Sequence, residues 1–173
     1  MKSDAISIVE AAYDCESEAR GWLEGLLERV APKLDRGFGV GASMYAPGIA
    51  PDRMPIASRC RDEKIASAAI GMCVTYPAHF HRLNATHRAV ATASKTLNMT
   101  ADEFQSWLPF VEFLHPFGIR DVTGVLARDP SGHVIAFNAP MPDLRPPTPR
   151  DTRLVYVGVI VLCLLQPPEL AGI

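Results

Sequence analysis

The sequence predicts a single α/β domain of the α+β kind: an antiparallel sheet of about five strands with helices packed mainly on one face. Three observations carry this expectation. First, Ile119–Pro140 (IRDVTGVLARDPSGHVIAFNAP) reads as a hairpin of Asp121–Arg128 and His133–Asn138 closed by Asp129-Pro130-Ser131-Gly132. There Pro130 pre-sets φ for a type I turn, and Gly132 supplies a residue at φ > 0. Val122, Val125, Leu126, Val134, Ile135 and Phe137 give the hairpin an apolar surface, which makes it central to a half-buried sheet. Second, Ser17–Leu34 carries one apolar stripe (Trp22, Leu23, Leu26, Leu27, Val30, Leu34) opposite Glu18, Arg20, Glu24, Glu28 and Arg29, a helix that needs a face to cover. Third, 173 residues with 48% hydrophobic and 21% charged content can fill one core, not two.

The remaining elements follow in order. Asp4–Tyr13 spaces Ile6, Val9 and Tyr13 as a helix, with Ser3 or Asp4 as its cap. Pro32 should bend or tighten the end of the second helix, and Gly37 should end it. Phe38–Ala46 alternates with the period of a strand; its glycines suggest a bend or a close backbone approach. Met54–Cys60 is a second strand. Asp62–Val74 is a helix with the stripe Ile65, Ala69, Met72 and Cys73. Pro77–Asn84 holds aromatic and histidine residues, and Ala85–Leu97 fits helix or strand. Thr100-Ala101-Asp102-Glu103 is a capping box opening a helix over Ala101–Leu114, where Pro109 predicts a kink or two shorter helices. The chain turns at Pro116–Gly118 into the hairpin.

Pro140–Pro149 is a Pro-rich connector, after which Leu154–Leu165 (LVYVGVIVLCLL) runs twelve residues without charge. That is short of the roughly 20 residues a bilayer span takes. The division expected is one domain over 1–149 and an atypical apolar tail over 150–173.

Composition excludes several functions. A net charge of −2, with no run of Lys and Arg, argues against a nucleic-acid surface on this chain. Cys15, Cys60, Cys73 and Cys163 form no CxxC pair, as expected of reduced thiols in a cytoplasmic protein. The N-terminus carries acidic residues where an export signal needs an apolar core, so no export is expected, and the short Leu154–Leu165 run without flanking Lys/Arg anchors argues against membrane association. His79-Phe80-His81, with His87 and His115, is the one cluster that suggests metal. On a strand both imidazoles of the pair would share a face, but no cysteine or carboxylate supports them, so neither a metal nor a cofactor is expected. Ser131-Gly132-His133 lacks a nucleophile elbow, and Gly37–Gly41 has helix and strand in the wrong order for a phosphate loop.

The order of several segments resembles the N-terminal, GAF/PAS-like sensor domain of bacterial LuxR-type helix-turn-helix regulators. These segments are Ile8-Val9-Glu10-Ala11-Ala12-Tyr13, Trp22-Leu23-Glu24-Gly25-Leu26-Leu27, Asp35-Arg36-Gly37-Phe38-Gly39-Val40 and Thr92-Ala93-Ser94. Further on come His115-Pro116-Phe117-Gly118-Ile119-Arg120-Asp121, Asp129-Pro130-Ser131-Gly132-His133 and Ala139-Pro140-Met141-Pro142. They spread over residues 5–153, and none is catalytic. The resemblance implies a sensory domain, not an enzyme, that answers a small-molecule effector or a partner and forms a homodimer. The dimer seam it implies is the stripe Trp22, Leu23, Leu26, Leu27 and Val30, unless that stripe is core. It also implies a helix-turn-helix module, and nothing after Arg153 resembles one. The expectation is a reading frame lost near residue 154, or a truncated reading frame.

A pocket between the sheet and the Ala101–Leu114 helix is the expected ligand site. Phe104, Trp107 and Tyr76 would be its aromatic lining, and Tyr45, His115 and Arg120 its polar groups. The competing reading is a small hydrolase or thiol-dependent enzyme using Cys73 and a histidine.

Overall fold

The computed structural model describes residues 5–13, 18–50, 53–85, 89–128, 132–144 and 148. In chain order these form α1 (Ala5–Ala12), α2 (Ala19–Leu34), β1 (Gly39–Tyr45), β2 (Ile56–Cys60), α3 (Glu63–Thr75) and α4 (Pro77–Asn84). There follow β3 (Val90–Thr92), α5 (Ala93–Leu97), α6 (Ala101–Ser106), α7 (Leu108–Phe113), a 3-10 turn (His115–Phe117), β4 (Asp121–Arg128) and β5 (Val134–Met141). The five strands make one antiparallel sheet in the order β2-β1-β5-β4-β3, so the hairpin β4–β5 supplies its centre as the sequence predicts. The turn residues 129–131 lie outside the described residues, as does the whole of 149–173, including the apolar run.

Helices cover both faces of the sheet, not mainly one. Along β1, β5 and β4, Val40, Ala42, Met44, Ile135, Phe137, Ala139, Val125 and Ala127 point to one side, where α1 and α2 close over them. The alternate residues point to the other side, under α3 to α7. The physical reason is the sheet's own composition: both sets of alternating side chains are largely apolar, and each face must be covered.

On the first face α2 buries Trp22, Leu23, Leu26, Leu27, Val30 and Leu34. At roughly 1.5–3 kcal/mol for each buried side chain, this stripe is a large part of the fold's apolar stabilisation. The stripe expected to be a dimer seam is therefore the protomer's own core: Leu23, Leu26, Leu27 and Val30 are 0% exposed and Trp22 is 2% exposed. The helical spacing is the same for either role. The apolar sheet beneath the stripe decides between them. Helix α1 is rotated from the expected stripe. It buries Ile8 and Ala12 and leaves Ile6 and Tyr13 exposed, and its Ala12 carbonyl accepts the Trp22 indole N–H at 3.1 Å.

Proline and glycine set the boundaries. Pro32 stays inside α2, and the turn into β1 is held by Asp35, whose Oδ1 accepts the N–H groups of Gly37 and Gly39, both at 2.7 Å. Gly39 has φ +89°, and a Cβ there would fall 2.0 Å from the Arg59 carbonyl oxygen, which is the close approach its strand glycines announce. Pro109 divides the predicted long helix in two. Trp107 is extended, and Pro109 stands in the first turn of α7, where a missing N–H costs nothing. The Thr100–Glu103 capping box is fully formed. Strand β5 runs past Asn138 to Met141. Its Pro140 is tolerated because pairing with β1 stops at Asn138, so the strand is bonded there only by β4.

Candidate functional site

Strand pairing brings five residues distant in sequence into one row across the sheet. Ser58 opposes Gly41, Gly41 opposes Asn138, Asn138 opposes Gly124, and Gly124 opposes Ala91. On the α3–α7 side this row is a trough, because two glycines flank one amide and the ends carry only a hydroxyl and a methyl. Above it lies a cavity of about 160 Å³, bounded below by the trough and by Ile56, Val122 and Leu126. Its roof comes from α3 (Ile65, Ala69, Met72, Cys73), α4 (Phe80, Leu83) and the α6–α7 junction (Phe104, Trp107, Phe110). Among the described residues its lining contains no Asp, Glu, Lys, Arg or His. The polar groups that face it are Ser43, Ser58, Asn84, Thr96, Asn138 and the two thiols Cys60 and Cys73.

Of the six ligand-site residues expected from the sequence, Phe104 and Trp107 line the cavity. Their rings lie 5.7 Å apart, and Phe104 also packs on Phe110 at 4.6 Å. The other four are not among its lining residues. The Tyr45 hydroxyl meets His81 Nδ1 at 3.2 Å, and the exposed Tyr76 hydroxyl donates to Glu112 at 2.7 Å. That bond to a carboxylate pushes the Tyr76 phenol above its ordinary range. His115 packs its ring against Phe110, and the Arg120 carbonyl accepts from Gln105. The α3 stripe read from the sequence lines the roof in full. The trough was missed because its members are united by register, and no local pattern marks them.

Burial pushes the Cys73 thiol up to about 11, and the Cys60 thiol is raised by burial and by the charge of Asp35. Both are held as neutral thiols, the opposite of what a nucleophilic cysteine requires. Cys15 and Cys163 lie outside the described residues. The segment holding His79 and His81 is helical, not a strand, so residues two apart diverge: His79 packs on Trp107 at 4.9 Å and His81 turns to Tyr45. Among the described residues no group of three or more His, Cys, Asp or Glu could hold a metal, and no helix is long and apolar enough to cross a membrane. His87 and Ser131 lie outside them.

No protein-family profile and no curated protein matches the chain. Solved structures do. The N-acylhomoserine lactone dependent LuxR family transcription factor CepR2 of Burkholderia cenocepacia aligns over 92% of this chain and 96% of its own, at a TM-score of 0.55 and 13% identity. SdiA of Escherichia coli aligns over 98% of this chain and 72% of its own, with TM-score 0.54 and 13% identity. SdiA in complex with octanoyl-rac-glycerol aligns over 95% and 68%, with TM-score 0.55 and 10% identity. At these identities the likeness is one of fold: an α+β domain with a five-stranded antiparallel sheet and flanking helices.

Proposed function

We propose that this chain is a sensory domain of the LuxR-regulator kind, which binds a small molecule between its sheet and helices α3 to α7. The observation that carries the reading is the uncharged, largely apolar cavity of about 160 Å³ above the central strands. Apolar pockets with a few placed polar groups are the usual form of small-molecule sites. The likeness supports the same reading, since CepR2 is N-acylhomoserine lactone dependent and SdiA has been solved with octanoyl-rac-glycerol. The mechanism is population shift: a ligand that fits one arrangement of α3, α4, α6 and α7 better than another favours it, and an attached output domain responds to that arrangement. A homodimer belongs to the same proposal, but its interface must use a surface other than the buried α2 stripe.

Thermal melting with uncharged amphiphiles, followed by amide hydrogen exchange, tests this. Binding raises the melting midpoint with ligand concentration. Protection is expected over α3, α4, α6 and α7 and not over α1 and α2. A midpoint unmoved by every compound, or protection confined to α1 and α2, overturns the proposal.

A further inference from the structure

The roof of the cavity is not fastened evenly. Helix α3 is held close to α7, since a Cβ on Gly71 would fall 2.8 Å from the Phe113 ring. Helix α4 packs chiefly on its neighbours in sequence, α3 and α5, and its two ends differ. At the C-terminal end the Arg82 guanidinium donates to the Leu97 carbonyl at 2.9 Å, and Arg128 donates to the carbonyl of the buried Asn84. At the other end Tyr76 closes α3 and opens α4 with φ −125° and ψ 60°, and Pro77 follows it. Two contacts tie that end across to the α6–α7 side. The Tyr76 hydroxyl donates to Glu112 at 2.7 Å, and the His79 ring meets Trp107 edge to face at 4.9 Å. Phe80 and Leu83 line the cavity on one side of this seam and Trp107 on the other, each only partly buried, so the wall there is one side chain thick. Tyr76, His79 and Glu112 lie outside the lining. Contacts between groups that water also reaches are weak, and they can break without unfolding the domain.

We propose that α4 is a lid over the cavity, anchored at its Asn84 end and fastened at its Tyr76 end by a clasp of two contacts, Tyr76 with Glu112 and His79 with Trp107. Release of the clasp opens the seam between α4 and the α6–α7 junction. The use of that opening by a ligand rests on the cavity being a ligand site, but the motion itself needs no ligand. It gives the His79-Phe80-His81 segment a task that is neither metal binding nor catalysis: its phenylalanine covers the cavity while His79 holds the cover down.

Cys73 lines the cavity from α3, so its alkylation by iodoacetamide, read on the Cys73 peptide by mass spectrometry, reports opening in the full chain at pH 8. In the native protein the rate should not change with sub-denaturing urea, because a local opening exposes little surface. Tyr76→Phe keeps the ring and removes the bond to Glu112; it and His79→Ala should each raise the rate about threefold, and the pair about tenfold. Glu112→Gln retains an oxygen that accepts the Tyr76 hydroxyl and should label at the native rate. An unchanged rate in the double variant overturns the clasp, and so does Glu112→Gln labelling as fast as Tyr76→Phe. A native rate that climbs with urea along the slope of global unfolding overturns the lid, since Cys73 would then be reached only in the unfolded chain. The urea series needs no variant, so it stands even if a substitution disturbs folding. Failure here leaves the cavity reading intact, because that reading is judged by the melting midpoint with amphiphiles.

Discussion

The two faces of one sheet have been put to different uses. Under α1 and α2 the row Ala57, Ala42, Phe137 and Val125 is buried, with only Val90 at its β3 edge exposed, and the side chains of α2 pack above it. One residue along, on the opposite face, the row Ser58, Gly41, Asn138, Gly124 and Ala91 holds the smallest side chains of the sheet, and many residues of the helices above are only partly buried. Close packing stabilises and fixes one arrangement, whereas room and partial burial leave the helices able to shift. The α2 face is close-packed, and the trough face keeps the room that the proposed response would use.

The largest test of this contrast is a pair of truncations. Leu26→Ala, on the packed face, should cost about 3–5 kcal/mol, seen as a melting midpoint lower by roughly 10 °C. Leu83→Ala, on the partly buried cavity wall, should cost about a third of that; equal losses would erase the distinction. Next comes thiol chemistry. With Cys73 up at about 11 against an ordinary value of 9.0, its thiolate at pH 8 is depleted about a hundredfold, and alkylation should be slower by at least that factor than in denaturant. The sign for stability follows. The folded state holds this proton more tightly, so the contribution is complete below about pH 9 and is lost as pH rises toward 11. Rapid labelling at pH 8 would restore the enzyme reading. Third, Gly41→Leu points a side chain into the trough, and a Cβ there meets nothing closer than 4.0 Å. It should leave the melting midpoint within a few degrees of the native one and reduce binding of an uncharged ligand by more than tenfold; loss of folding instead would show the trough to be close-packed. The smallest effect is Thr100→Ala, which removes the α6 cap and should cost about 1 kcal/mol in a denaturant melt.

Legibility in the sequence divides along the same line. The α2 stripe, the α3 stripe and the break at Pro109 are local patterns, and each was readable from neighbours three or four residues apart. Helix α4 was not, because Pro77–Asn84 is two turns long and its apolar face is only Phe80 and Leu83, too short a stripe to set a period. The cavity lining was legible where it is helical (Phe104, Trp107) and hidden where it is sheet, since Gly41, Asn138 and Gly124 meet only once the strand order is known. Tyr45, Tyr76, His115 and Arg120 were chosen for carrying a polar group near aromatics; the hydroxyls of Tyr45 and Tyr76 serve contacts with His81 and Glu112 instead, and none of the four lines the cavity.

The strand order also governs how the chain must be born. The strand that joins the two halves of the sheet, β5, is the last of the five to leave the ribosome, and Gly41 waits for Asn138. Until then α2 presents its leucines to a β1–β2 pair with no centre, for seconds at ordinary synthesis rates. Folding dominated by such remote pairing is slow, and the unfinished N-terminal half is the species that would seek chaperones or aggregate.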